Sequence, residues 1–521
     1  MMKHFWWLLA VPAVFASFTL HAETRLPAFP GADGFGRFAT GGRGGAVYHV
    51  TTLNDSGPGS FRDAVSAPKR TVVFDVAGVI AISNRIVVSP NVTIAGQTAP
   101  GEGVVIYGNG ISFSGANNSI ARHIRFRMGV NGDHGKDAAG IAHGHDLIFD
   151  HVSVSWGRDE NFSINGVATN ITIQNSIIAQ GLQHHSAGGL IQTSGGVSIL
   201  RTLYCDNYTR NPKVKGVNQY VNNVVYNWGD GGCYILGDSA APSFANVANN
   251  YFIAGPDTGA AAFIRGNLNF HLFAENNYED RNRNGILDGA MIPEKDYGVV
   301  SWQKKPFEFP TLPRLSPLQA YRTVIAQAGA SMHRDAVDQR LIAEVSSLGT
   351  TGQIITNEND APIFGPGKIA SGKVLPDADQ DGMPDTWEAA HELNPHDAND
   401  RNQLAASGYT QLEEYLNWLA EPHVMTSSTG PLDLDLKNFV GGLEVSGFTI
   451  SAVQHCTAKI LPDGFTARVT FQPGYVGRAS FSFSTQGSES ISRTLGVLVS
   501  KPETVANAGK SLLPAQNRMH N

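Results

Sequence analysis

The chain has 521 residues, with 45 acidic and 38 basic side chains, a formal charge of −7, 57 glycines and only 16% charged residues, against the roughly 25% of an ordinary globular protein. At 42% hydrophobic it is not a disordered chain, its length exceeds one ordinary core, and the lack of a basic excess or a Lys/Arg run excludes a dedicated nucleic-acid binder. Cys205, Cys233 and Cys456 are too few for a disulfide scaffold; one bridge, Cys205 to Cys233, would leave an odd thiol.

The first 22 residues place Lys3 before an apolar stretch from Phe5 to Phe18 and end Leu20-His21-Ala22, the layout of a secretory signal peptide cleaved after Ala22. The apolar run is shorter than the roughly 20 residues of a membrane span. A secreted protein, extracellular or periplasmic, without membrane contact after cleavage is expected.

From about 90 to 255 a short phrase rich in Val, Ile and Tyr recurs, as in NVTIAGQTA, NSIARHIRFR, HDLIFDHVSVSWG, NITIQNSIIAQG and NQYVNNVVYNWG. Aligning His151, Asn175, Thr202, Asn223 and Asn250 gives steps of 24, 27, 21 and 27 residues. Steps of this size signal a solenoid. Each phrase alternates as a strand does and is too short for a strand-helix-strand unit, so each is read as one coil of a parallel β-helix. Nine asparagines between 201 and 250 suit corner positions, where they bond to backbone and to the next coil.

After about 257 the period fades, and 310–346 reads as a helix pair able to cap the end of the solenoid. The expected order is signal peptide 1–22, β-helix domain with a helical C-terminal segment 23–346, linker 347–372, calcium-binding loop and helix 373–421, β-sandwich 424–500 and disordered tail 501–521. The fold class is all-β, a right-handed parallel β-helix with a small calcium unit and a C-terminal sandwich.

D-A-D-Q-D-G-M-P-D-T-W-E places Asp377, Asp379, Asp381, Gly382, Asp385 and Glu388 on a complete twelve-residue calcium loop, with Met383 offering its carbonyl. Pro376 leaves no room for a preceding EF-hand helix, and the unit resembles the loops of dockerins and thrombospondin type 3 repeats; a structural Ca²⁺ is expected. The weaker D-R-N-R-N-G-I-L-D at 280–288 has Met291 in place of the closing Glu and reads as a solvated turn.

Asp137 thirteen residues before Asp150 in F-D-H, then S-W-G-R-D-E (155–160), then D-N-Y-T-R-N-P-K-V-K (206–215) resembles polysaccharide lyase family 1, the pectate lyases, over roughly residues 25 to 260. The resemblance implies β-elimination on a galacturonan, with a calcium ion bound by Asp137 and Asp159 to neutralise the substrate carboxylate. The family's third carboxylate falls on Ser163 here, so Glu160 is taken as its substitute. Arg210 matches the proton-abstracting arginine. Lys215 stands where a second arginine binds the substrate carboxylate, with Lys213 beside it, and His184 or His185 replaces a further lysine, His185 being preferred.

His143, His145 and His151 invite a zinc reading, but their strand-like spacing favours stacked structural histidines, and Asp150 is read as supporting the coil. The expected protein is a secreted, monomeric, calcium-dependent pectate lyase acting on de-esterified polygalacturonate. Two alternatives use the same repeats: a pectin hydrolase, which needs two carboxylates about 6.5–9.5 Å apart, and a non-catalytic β-helix adhesin or glycan-binding protein.

Overall fold

The structure, a computed structural model, describes residues 25–427 and 430–500; the expected signal peptide and C-terminal tail lie outside the described residues. Strands from Ala46–Val50 to Ser301–Trp302 stack, in parallel except for the antiparallel edge strand Ala290–Met291, into a 15-stranded and a 10-stranded sheet, which together form a parallel β-solenoid of about ten turns.

Four strands are unusually long: Ala139–Asp150, Phe162–Gln174, Leu190–Leu200 and Lys213–Val221. Each turns a corner. Ala139–Asp150 pairs at its start with Ile111–Ser112 and at its end with Ile120–Arg122, with a register shift between Ile141 and His143. One strand thus serves two faces, and strands such as Ser153–Ser155 supply the third.

Side chains alternate in and out along these strands, so Val, Ile and Phe from successive coils fill the interior. Phe113, Phe149 and Phe162 stack edge to face there, with centroids 4.8 and 4.9 Å apart. The asparagines do form a ladder. Asn250 Oδ1 accepts from the Asn223 amide at 2.8 Å, and Asn277 Oδ1 accepts from the Asn250 amide at 3.2 Å. Downward the ladder continues through Thr202 and Ser176. His151 and Asn175 therefore belong one position earlier than the sequence alignment put them. They occupy the left-handed corner, with φ of 55° and 50°, shared with Arg201, Asn222 and Asn249. Their neighbours Ser176, Thr202, Asn223 and Asn250 point inward.

The solenoid also outlasts its sequence signal: Ser243 pairs with Phe270, and His271 with Ser301. The helices Pro317–Gln327 and Ala336–Ser346 do not cap its end. They lie along its flank, burying Tyr321, Val324, Ile325, Leu341 and Val345 against Ile177, Leu203, Val224 and Ile253. A buried ion network fixes them, since Arg127 Nη2 donates to Asp335 at 3.0 Å and to Asp338 at 2.9 Å. The expected linker is anchored too: fully buried Glu358 accepts from the Tyr107 hydroxyl and the Val130 amide.

Cys205 and Cys233 are both buried and unpaired, which corrects the bridge considered above. Cys205 faces the helix-covered flank and Cys233 the solenoid interior, so a sheet separates them. Residues 280–288 form a turn in which Asn282 and Asn284 donate to Asp288. At the C-terminus, His423–Thr426, Ser492–Val499, Gly477–Thr485 and Phe448–Gln454 make one sheet and Leu432–Asp435, Thr466–Thr470 and Thr457–Ile460 another, packed around Phe448, Val469, Phe481 and Leu495.

Candidate active site and metal centres

Glu160, Ala187 and Thr209 are joined by parallel bridges, so the loops carrying Glu160 and Arg210 are stacked two coils apart. One coil below, the amides of Arg158 and Asp159 both donate to the Lys136 carbonyl, at 3.1 and 3.0 Å. The Glu160 amide donates to Asp137 Oδ1 at 3.2 Å. These main-chain bonds bring Asp137, Asp159, Glu160 and Arg210 to one edge of the solenoid despite 73 residues of separation between the first and the last.

Beneath them runs a buried amide ladder. Asn161 Nδ2 donates to Asn207 Oδ1 at 2.8 Å, and Asn207 Nδ2 donates to Asn211 Oδ1 at 2.9 Å. Asn207 Oδ1 also accepts from the Gly181 amide. Residues on either side of the ladder, Glu160 and Arg210, therefore sit on rigid supports. Arg210 itself has a left-handed backbone, φ 56°, a conformation that costs a non-glycine residue about 1 kcal/mol or more and is concentrated at functional sites.

The Arg210 guanidinium forms a close salt bridge with buried Glu160. His185 Nε2 lies 3.1 Å from Asp159 Oδ1, and ligand atoms of Asp159, Glu160 and His185 all fall within 4.8 Å of one another. Burial, and then the charge of Asp159, push the Asp137 carboxyl up to about 6. Burial lowers the pKa of Arg210; Asp159 and Asp137 oppose this and the cation of Arg265 reinforces it. Ser163 is buried, and its hydroxyl accepts from the Leu190 amide at 3.1 Å, so its side chain serves the coil rather than the cluster.

Lys213 and Lys215 flank inward-facing Val214 on the adjoining strand. Lys213 pairs with Asp238 at 2.9 Å. The lowered pKa of Lys215 reflects burial and then the charge of Lys213, with Arg210 adding to it. Two arginines escaped sequence reasoning: Arg265, which shares Asp238 with Lys213 at 3.9 Å, and Arg85, which donates to the Asp137 carbonyl at 2.8 Å. Neither stands in a recognisable motif; only coil stacking brings them here.

His151 stacks on His123, with centroids 4.6 Å apart and planes 9° apart. Ligand atoms of His123, His151 and Asp150 lie within 4.8 Å of one another. Asp150 accepts from Arg122, Gln174 and Asn175 and braces the coil.

The C-terminal loop gathers a second acidic group. Ligand atoms of Asp377, Asp379 and Asp381 lie within 4.8 Å of one another, as do those of Asp381, Glu388 and Asp400. Gly382, with φ 92°, makes the sharp turn. Asp385 is not in either group: as the first residue of the helix Asp385–Ala390, it accepts from the Ala378 amide at 2.8 Å. Met383 is fully buried beneath the loop. Burial, followed by the neighbouring carboxylates, pushes Asp381 up to about 7 and Glu388 to about 8.

The chain is 58% identical over 401 residues, 76% of its length and 95% of the relative's, to a probable pectate lyase C of Aspergillus fumigatus. The chain belongs to the pectate lyase family. A probable pectate lyase C of Emericella nidulans is 53% identical over 401 residues, 76% of this chain and 94% of that one. Pectate lyase 5 of Ambrosia artemisiifolia is 26% identical over 262 residues, 44% and 64% of the two chains. Among solved structures, a Bacillus subtilis pectate lyase mutant covers 60% of this chain and 98% of its own at 14% identity and a TM-score of 0.43. A pectate lyase bound to a hexasaccharide covers 60% and 99% at 14% identity and a TM-score of 0.41. No protein-family model matches the chain. For a polysaccharide lyase, the edge carrying Arg210 is the part of the solenoid where a half-buried cation, three carboxylates and two lysines meet.

Proposed function

We propose that the protein is a secreted, calcium-dependent pectate lyase that cleaves de-esterified polygalacturonate by β-elimination, with Arg210 as the base. The observation that carries the reading is the position of Arg210. Its guanidinium is partly withdrawn from water, its pKa is lowered by that burial, and it stands over Asp137, Asp159 and Glu160 on one stack of coils.

The donor set fits a calcium ion. Burial, and then the charge of Asp159, raise the Asp137 pKa, and hard carboxylate oxygens suit Ca²⁺. Asp137, Asp159 and Glu160 would hold it, with His185 positioning Asp159. A bound calcium ion supplies Lewis-acid neutralisation of the substrate carboxylate, which makes the adjacent C5 proton acidic enough to remove. Lys215, and Lys213 beside it, attract and orient the uronate groups. The C5–H bond breaks and its proton passes to the neutral guanidine of Arg210; the electron pair forms the C4–C5 double bond; the C4–O4 bond breaks, and the departing oxygen takes a proton from water. The product is a 4,5-unsaturated oligogalacturonate.

Glu160 cannot serve Arg210 and an ion fully at the same time. As the salt-bridge partner of Arg210 it favours the protonated guanidinium, so the active arrangement is one in which its charge is directed to calcium. Arginine's unperturbed pKa above 12 makes the neutral form scarce, and activity is expected to climb with pH through the alkaline range.

The test is polygalacturonate with Ca²⁺ at mildly alkaline pH, followed by the ultraviolet absorbance of unsaturated uronates. Rising absorbance is expected. Reducing ends without absorbance would establish a hydrolase, and neither would establish a binding protein.

A further inference from the structure

The acidic group at the C-terminal loop has features that the twelve-residue motif does not explain. Asp381 and Glu388 are fully buried and Asp400 is 3% exposed, yet Asp381 Oδ2, both Glu388 oxygens and Asp400 Oδ1 have no hydrogen-bond partner, nor does either Asp379 oxygen. Buried carboxylates without a countercharge are costly and are retained where a cation is held. No lysine or arginine among the described residues makes a salt bridge to Asp377, Asp379, Asp381, Glu388 or Asp400.

The satisfied oxygens shape the site while leaving the others aimed inward. Asp377 accepts from the Asp381 and Gly382 amides at 3.2 and 2.9 Å. Asp381 Oδ1 accepts from the Met383 amide at 2.9 Å. Asp400 Oδ2 accepts from the Asn394 amide at 2.8 Å, which leaves Oδ1 unpartnered in a carboxylate that lies beside Asp381 and Glu388. Asp400 lies twelve residues beyond Glu388, in the short helical turn Asp400–Asn402, outside the loop pattern altogether.

We infer that this is a closed calcium site in which Asp400 replaces Asp385 as the ligand completing the set of Asp377, Asp379, Asp381 and Glu388, and that the ion fastens the C-terminal unit to the solenoid. The exclusion of Asp385 is geometric: it shares neither group of ligand atoms lying within 4.8 Å of one another, and its Oδ1 is turned to the Ala378 amide. The fastening follows from what surrounds the loop. Met383 and Trp387 pack in one cluster with Ala95 of the solenoid, Leu412, Tyr415, Leu416 and Trp418 of the following helix, and Leu498 of the sandwich, and Val47 of the first coil lies against it. His49 spans the same junction, pairing with Asp75 at 3.0 Å and approaching Asp377 at 3.8 Å. An ion at the hub of this cluster ties the 377–402 segment to elements on three sides. The inference is independent of the Arg210 chemistry.

The test is calcium titration calorimetry on the full-length protein and on Asp400→Asn, Asp385→Asn and Asp159→Asn, the last to identify the groove site in the isotherm. Asp400→Asn keeps an oxygen for the Asn394 amide, so its fold is expected to persist. It should weaken the C-terminal site by about tenfold or more, as loss of a charged ligand does, whereas Asp385→Asn should change affinity by less than about threefold. Native affinity in Asp400→Asn, or loss confined to Asp385→Asn, would overturn the ligand assignment. Thermal melting of the native protein with and without chelator reads the fastening and does not depend on any variant folding: calcium should raise the melting temperature of the C-terminal unit, and a calcium-independent melt would refute it.

Discussion

The two acidic clusters are built from the same residue types and differ in what surrounds them. At the groove every carboxylate has a competing partner: Arg210 on Glu160, His185 on Asp159 and a main-chain amide on Asp137. Asp159 and His185 are also open to water, with side chains 38% and 44% exposed. At the C-terminal loop Asp381, Glu388 and Asp400 are buried and Asp377 and Asp379 half-buried, and several oxygens are left with no partner at all. Under the proposed function an ion at the first site would share its ligands with a base and a substrate, and would be open and readily exchanged; an ion at the second would have only the protein. The contrast follows the general distinction between catalytic metal sites, which keep a position free, and structural ones, which are closed.

The largest expected effect belongs to the groove. Arg210→Ala should lower kcat by roughly 10²–10⁴-fold, the usual range for removing a positioned general base, with the circular dichroism spectrum unchanged. An active Arg210→Ala enzyme would break the comparison at its first term. Asp159→Asn should cost on the order of 100-fold at low calcium and recover in part as calcium is raised, because it removes one ligand and leaves the base. A recovery curve identical to that of the native enzyme would remove Asp159 from the ion.

Graded chelation separates the clusters directly. Activity should fail at free calcium concentrations about an order of magnitude or more above those at which the melting temperature drops, since the closed site holds its ion with more carboxylates and less competition. Coincident transitions would mean that the two sites are not distinct in strength. Arg265→Ala is a finer probe. Removing that cation raises the pKa of Arg210, so the neutral fraction at a given alkaline pH falls and the rising limb of kcat/KM against pH moves upward; a few-fold loss at fixed pH is expected. Away from both clusters, Arg127→Ala should destabilise the protein by about 3 kcal/mol, by leaving buried Asp335 and Asp338 with Arg125 as their remaining cation, while the kcat of the folded fraction stays unchanged in assays below the unfolding transition.

Part of this contrast is legible in the chain itself. The twelve-residue loop is local, and each ligand type at its spacing has a direct coordination reason, so the C-terminal cluster could be named residue by residue except at Asp385 and Asp400. Asp385 instead closes the loop on itself by accepting from the Ala378 amide, seven residues upstream. Asp400 was invisible because its position depends on how the chain folds back after Asn394. The solenoid repeat was legible for a similar reason, since inward residues recur at every coil. Its register was misplaced by one at His151 and Asn175, because the left-handed corner and the inward ladder position are adjacent and both accept polar residues.

What the sequence by itself determined is therefore the set of local devices: coils of alternating apolar residues, asparagine corners, an acidic twelve-residue loop and an arginine in a recognisable phrase. Tertiary structure alone decided which of them meet. The Glu160 to Arg210 pair, the contact of His185 with Asp159 and the approach of Arg265 all cross from coil to coil, and the ladder steps are 24, 26, 21 and 27 residues. With a turn length that varies so much, no fixed sequence distance corresponds to a lateral neighbour. Main-chain hydrogen bonds between coils set the stacking, and the side chains of the groove take their partners from it.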